Sequence, residues 1–229
     1  MAGPTPIATS TPTTVPSADA DSADIQSSSQ LWPDEFAAAL DSANSMTDDD
    51  VADVLNRDFP TFETAAQTLA GNPNPTADGA IGPGDIFAAT VSPYVSEEDC
   101  KVAYRLWSDG NLFSQLCTAG NGKFDFQISD NDVNVFIKIR QMVSDILAAT
   151  PDVNKGAVGS GINSLLNDAK FQALDGDTKT SILRQIENDP SESVVDSLTE
   201  KVDADCYTPG VLSSLNTHSF PGDWRKGEG

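Results

Sequence analysis

Past its first thirty residues the chain places apolar side chains three and four positions apart, the spacing of helices that bury one stripe. Trp32-Pro33-Asp34 opens the first, with Phe36, Ala39 and Leu40 on its apolar side. Thr47 ahead of Asp48, Asp49 and Asp50 predicts a capped helix start with acids on the N-terminal dipole, and Val51, Val54 and Leu55 supply its stripe. Pro60 predicts a break, after which Phe62, Ala65, Ala66 and Leu69 share a face. Ser96-Glu97-Glu98-Asp99 opens the next helix, turning Val102, Leu106 and Trp107 toward a core. Asp109-Gly110-Asn111 interrupts it before Leu112, Phe113 and Leu116. The longest helix is predicted over Asp130 to Ala149. Phe136, Ile139, Val143, Ile146 and Leu147 line one face of it, and Val135, Ile137 and Met142 make much of the rest apolar, as a central core helix requires.

Beyond Thr150-Pro151-Asp152, the segment GAVGSG (Gly156 to Gly161) reads as a flexible joint. Ile162, Leu165 and Leu166 then begin a short helix, Phe171 and Leu174 follow, and Ile182, Leu183 and Ile186 form a further stripe. Asp189-Pro190-Ser191-Glu192 has the form of an Asp cap with Pro at the first helical place, leading into Val194, Val195, Leu198 and Val202. Strand signals are few, so the expected fold is all-α.

One pattern occurs twice. Asn74 to Asp85 (NPTADGAIGPGD) and Asn121 to Asp132 (NGKFDFQISDND) align without a gap, sharing Asn at place 1, Asp at 5, Ile at 8 and Asp at 12. That is the spacing of a calcium loop between helices, with oxygen ligands at places 1, 3, 5, 7, 9 and 12. The side chains available as ligands are Asn74, Thr76, Asp78 and Asp85 in the first loop and Asn121, Asp125, Ser129 and Asp132 in the second. The first loop keeps Gly79 at the sixth place. The second has Lys123 at the third, a cation where oxygen is needed, and Phe126 at the sixth. A metal-free reading fits as well: Ser129 and Asp132 form a capping box, Pro83 and Asp85 start a helix, and the shared Ile plugs a core.

Residues 102–137 (VAYRLWSDGNLFSQLCTAGNGKFDFQISDNDVNVFI) resemble a repeat of the HrpF/NolX family of type III secretion translocon-associated proteins from plant-interacting bacteria. The resemblance is carried by Asp109 to Phe113, Leu116, Thr118 to Lys123, Asp125, Ile128-Ser129, Asp132-Val133 and Phe136, with a fainter copy over residues 54–87. The family pattern has Asp where Cys117 stands and Gly where Phe126 stands. It implies a secreted protein, either an effector or a translocon accessory, acting on a protein partner such as a host protein or secretion chaperone.

Composition sharpens this. Residues 1–30 contain no Lys, Arg or aromatic side chain and read as a disordered tail of the kind an unfolded export signal uses. The chain carries 35 acids against 13 bases, a formal net charge of −22, which opposes nucleic acid and anionic membrane partners and favours basic ones. No transmembrane segment and no general secretory signal peptide are expected. Cys100, Cys117 and Cys206 form no CxxC pair and read as free thiols, with Cys117 in the core. The one histidine, His218, and Cys206 lack the neighbours of a catalytic pair, and no GxGxxG, GxxxxGK[ST], GxSxG or HExxH is present. The turn SFPGDW packs back on the helices or offers Phe220 and Trp224 to a partner.

The expected organisation is a tail at 1–30, a helical domain at 31–150 with two EF-hand-like loops, a C-terminal helical subdomain at 151–220 and a frayed end at 221–229. The expected function is non-enzymatic protein–protein interaction. A calcium-responsive regulatory module and an enzyme of unidentified class are the alternatives.

Overall fold

The computed structural model describes residues 41–204, 206 and 207. The expected tail, the Trp32-Pro33-Asp34 start, His218 and the SFPGDW turn lie outside them. Among the described residues the fold is all-α, apart from one two-stranded ribbon of two residues per strand.

Local chemistry accounts for most helix starts. Helix α1 (Asp48–Glu63) begins at Thr47, whose hydroxyl accepts from the Asp50 N–H while Asp50 accepts from the Thr47 N–H, a reciprocal box that satisfies two orphan donors. Pro60 kinks this helix without ending it. The non-helical residue is Asp58, at φ −111° and ψ 20°, two positions ahead of the proline whose missing N–H and ring disturb that turn. Helix α2 (Ala65–Leu69) follows, then strand β1 (Ala80–Ile81) and helix α3 (Pro83–Val91). Ser96 caps α4 (Glu97–Ser108), and Asp109 caps α5 (Gly110–Thr118), accepting from the N–H groups of Asn111 and Leu112 at 3.0 Å each. Strand β2 (Ile128–Ser129) leads into α6 (Asp130–Ala149), the helix whose limits its sequence pattern predicts. Helices α7 (Asp152–Leu166), α8 (Ala169–Gln172), α9 (Gly176–Asn188) and α10 (Glu192–Asp203) complete the fold.

The apolar stripes close into two cores. The first gathers α1, α3, α4, α5, both strands and the start of α6, and includes Val51, Leu55, Phe62, Ile86, Leu106, Leu116, Cys117, Val133 and Phe136. The second takes Ile139 and Ile146 from the rest of α6 together with Ile162, Phe171, Ile182, Leu183, Val195 and Leu198. At 20 residues, α6 is about 30 Å long, enough to serve both. The cores therefore divide within α6, between Phe136 and Ile139, rather than at the turn near residue 150.

Charged side chains gather where α1, α4 and α6 meet. Arg105 of α4 bonds Asp48 at 3.1 Å, and Arg140 of α6 bonds Asp49 at 2.6 Å, so the acids of the first turn of α1 hold two neighbouring helices. These pairs are partly exposed, and each contributes on the order of 1 kcal/mol or less.

Four expectations are corrected. GAVGSG is no joint: it lies inside α7, where a Cβ on Gly161 would stand 2.6 Å from Cγ1 of Val195, so the small residue lets α7 and α10 approach closely. Asp189 ends α9, its N–H bonding the Gln185 carbonyl, and Ser191 is the N-cap of α10. Trp107 faces solvent, 57 % exposed, because helical spacing from the buried Val102, Ala103 and Leu106 carries it round to the outer side. Leu69 is 40 % exposed, since α2 ends at it and the chain leaves the core there.

Candidate functional site: the paired acidic loops

The two repeated loops lie side by side. Ile81 pairs with Ile128 and Ala80 with Ser129 in an antiparallel ribbon, so the eighth place of one loop meets the eighth place of the other. Both isoleucines are fully buried, each worth roughly 1.5–3 kcal/mol relative to exposure. The sixth place turns the chain through the left-handed region in both copies, with φ +85° at Gly79 and φ +62° at Phe126. Glycine adopts that conformation freely. A Cβ-bearing residue there costs roughly 1–2 kcal/mol, and a bulky aromatic one is an outlier.

The fifth-place carboxylates close matching turns: Asp78 accepts from the Ala80 N–H and Asp125 from the Gln127 N–H, both at 3.1 Å. Asn121 accepts from the Lys123 N–H at 2.7 Å. Asn74 and Thr76 are exposed, and the Thr76 N–H and carbonyl are both held by the Gln67 side chain, at 3.0 and 2.8 Å. The twelfth-place acids act as caps. Asp85 accepts from the Gly82 N–H at 3.0 Å. Asp132 accepts from the Ser129 N–H at 2.9 Å through one oxygen and from the Gly120 N–H at 2.8 Å through the other, and the Ser129 hydroxyl also bonds it.

Calcium needs six to eight oxygens, among them a free bidentate carboxylate at the twelfth place. In the second loop both oxygens of that carboxylate are engaged by backbone donors, and Lys123 stands at the third place. Among the described residues no three His, Cys, Asp or Glu side chains are grouped as a metal set. The capping and core-plug roles account for Asp85, Ile81, Ser129, Ile128 and Asp132 as they are arranged here.

Two buried charges that sequence reasoning did not single out flank the ribbon. Glu63, the last residue of α1, is 6 % exposed. Burial pushes its carboxyl above the usual range, Asp78 adds to this, the Gly79 N–H opposes it, and Asp85 and Asp130 raise it further. Lys179 of α9 is 2 % exposed and donates to the carbonyls of Thr118 and Ala119 at the end of α5. Burial lowers its ammonium to about 8, against the pull of Asp132 and Asp175. The start of the second loop is thus anchored to the C-terminal helices. The Gly176 N–H also bonds the Gly120 carbonyl at 2.8 Å, and a Cβ on Gly122 would overlap the Ala173 carbonyl.

Aromatic side chains occupy the outside. Phe124 and Phe126, 46 % and 57 % exposed, stand with ring centroids 4.5 Å apart, and Phe113 meets Phe124 edge-on at 6.2 Å. A second group joins Phe87 and Trp107 at 5.7 Å. The sequence signal for the first group is Phe126 itself, a non-glycine residue at a place whose turn needs positive φ. Cys117 is a buried core residue, its thiol pushed up to about 12 by burial and then by Asp125 and Asp132. No described helix is long and apolar enough to cross a membrane.

Compared with family models, curated proteins and solved structures, the chain matches none of them.

Proposed function

We propose that this protein is a secreted bacterial interaction protein, a type III effector or translocon accessory that acts by binding another protein rather than by catalysis. The observation that carries the interaction reading is aromatic exposure. Among the described residues eight large apolar side chains are at least 40 % exposed, and five of them are Phe87, Tyr94, Trp107, Phe124 and Phe126, in or beside the repeated helix–loop units. Exposed aromatic groups rimmed by polar residues are characteristic of protein-binding surfaces. The secretion reading rests on the HrpF/NolX-like segment at residues 102–137 and on the basic-residue-free start at 1–30.

The test is export. The full chain and a variant lacking residues 1–30 are expressed in a bacterium with an active type III system and in its secretion-defective derivative. Release of the full chain alone, and only from the active strain, supports the reading. Equal release of both chains, or release from the defective strain, overturns it.

A further inference from the structure

Phe126 holds a strained backbone angle in a loop where glycine would relieve it, and its ring is not spent on the core. It projects, with Phe124, into solvent. Strain of this kind persists where surrounding structure enforces it and gathers at functional sites. Here the enforcing structure is the buried ribbon on one side, at Ile128, and the α8–α9 link on the other, at Gly122.

The charge of the molecule selects among occupants. The two loops expose Asp78, Asp125 and Asp130 and, in part, Asp85 against Lys123 alone, Asp132 being buried, and the whole chain is at −22. A second copy would bring the same sign of charge to the same face, and an anionic bilayer would also be repelled. A segment bearing Lys or Arg beside apolar side chains is attracted: its cations meet the loop carboxylates and the faces of the Phe rings, and its apolar groups cover the ring pair.

We infer that Phe124 and Phe126, displayed from the second loop within this acidic face, are the docking point for a basic, apolar-anchored segment of a partner protein. This rests on the interaction reading above and names its surface and partner chemistry.

The experiment uses the isotope-labelled full chain and three 14-residue peptides: one of Leu and Lys, one of Leu and Glu, and one of Gly and Lys. The expected result is that the Leu/Lys peptide selectively moves amide signals of residues 121–129, more weakly as salt is raised. A Phe124→Ala/Phe126→Gly variant with unchanged melting loses at least tenfold in affinity, and Phe87→Ala/Trp107→Ala binds as the parent does. Equal binding of the Gly/Lys or the Leu/Glu peptide overturns the proposal. So does full affinity in the Phe124→Ala/Phe126→Gly variant, or concentration-dependent shifts at 121–129 without peptide, which mean self-association. Binding of phosphatidylserine vesicles through the Phe pair overturns it in favour of a membrane. Peptide signals confined to α3 and α4 overturn this site while leaving the interaction reading standing.

Discussion

The ammonium of Lys179 donates to the carbonyl of Thr118, so a charge buried in α9 closes the end of α5 and ties the second loop to the C-terminal core. A cation at a helix C-terminus is favoured by the dipole and by the orphan carbonyls there, but its desolvation outweighs this and lowers the ammonium to about 8. Below pH 8 both folded and unfolded chains are protonated and the cost is constant. Between about pH 8 and the ordinary lysine value near 10.4 only the unfolded chain holds the proton, so this group makes stability rise with pH. Lys179→Met is expected to remove that rise, a difference of up to roughly 3 kcal/mol across the window, seen in urea melts of parent and variant at pH 7 and pH 10. Parallel pH profiles for the two would refute it.

The glycines of α7 make opposite predictions. Gly156 is exposed with nothing near a Cβ, so Gly156→Ala is expected to stabilise by about 0.5–1 kcal/mol through helix propensity. Gly161 abuts the stiff Val195 side chain, so Gly161→Ala is expected to lose stability by about 1 kcal/mol, recovered when Val195 is also shortened to Ala. Chemical denaturation of the three variants beside the parent checks the signs.

At Phe126 the informative comparison is Ala against Gly, since both remove the ring. Gly is expected to be the more stable by about 1 kcal/mol, because only Ala keeps a Cβ at φ +62°. Equal stabilities would mean that the loop does not hold that angle in solution.

Ile128→Ala and Ile81→Ala are each expected to cost about 2–5 kcal/mol, with a coupling of at least 0.5 kcal/mol in the double variant, because the two residues pair in the ribbon and share one core. In the same melts, millimolar calcium is expected to leave the parent's midpoint unmoved, since Asp132 has both oxygens in capping bonds. A rise with calcium that Asp78→Ala or Asp125→Ala abolishes would reverse that conclusion.

Much of this protein follows from interactions within a few residues. The Thr47, Ser96 and Ser129 caps and the length of α6 are legible because capping and one-sided burial act over three or four positions. The meeting of the repeated loops at Ile81 and Ile128 follows their equal register. What local pattern cannot say is which face a neighbouring helix will cover. GAVGSG has the composition of a joint, yet it is helix because α10 brings Val195 against Gly161. Trp107 and Leu69 are apolar and follow core residues closely, yet both are left largely to solvent, Trp107 meeting only the exposed Phe87 among the described rings. Lys179 lies within a polar stretch of sequence and is buried only because α9 docks on the end of α5. By itself the sequence determined the all-α character, most of the helix starts and the twofold loop motif. The tertiary structure alone decided that Asp132 also holds the Gly120 N–H, that a lysine closes the second loop's start and that two phenylalanines face outward, because each of these depends on contacts that reach beyond the three or four positions of a helical turn.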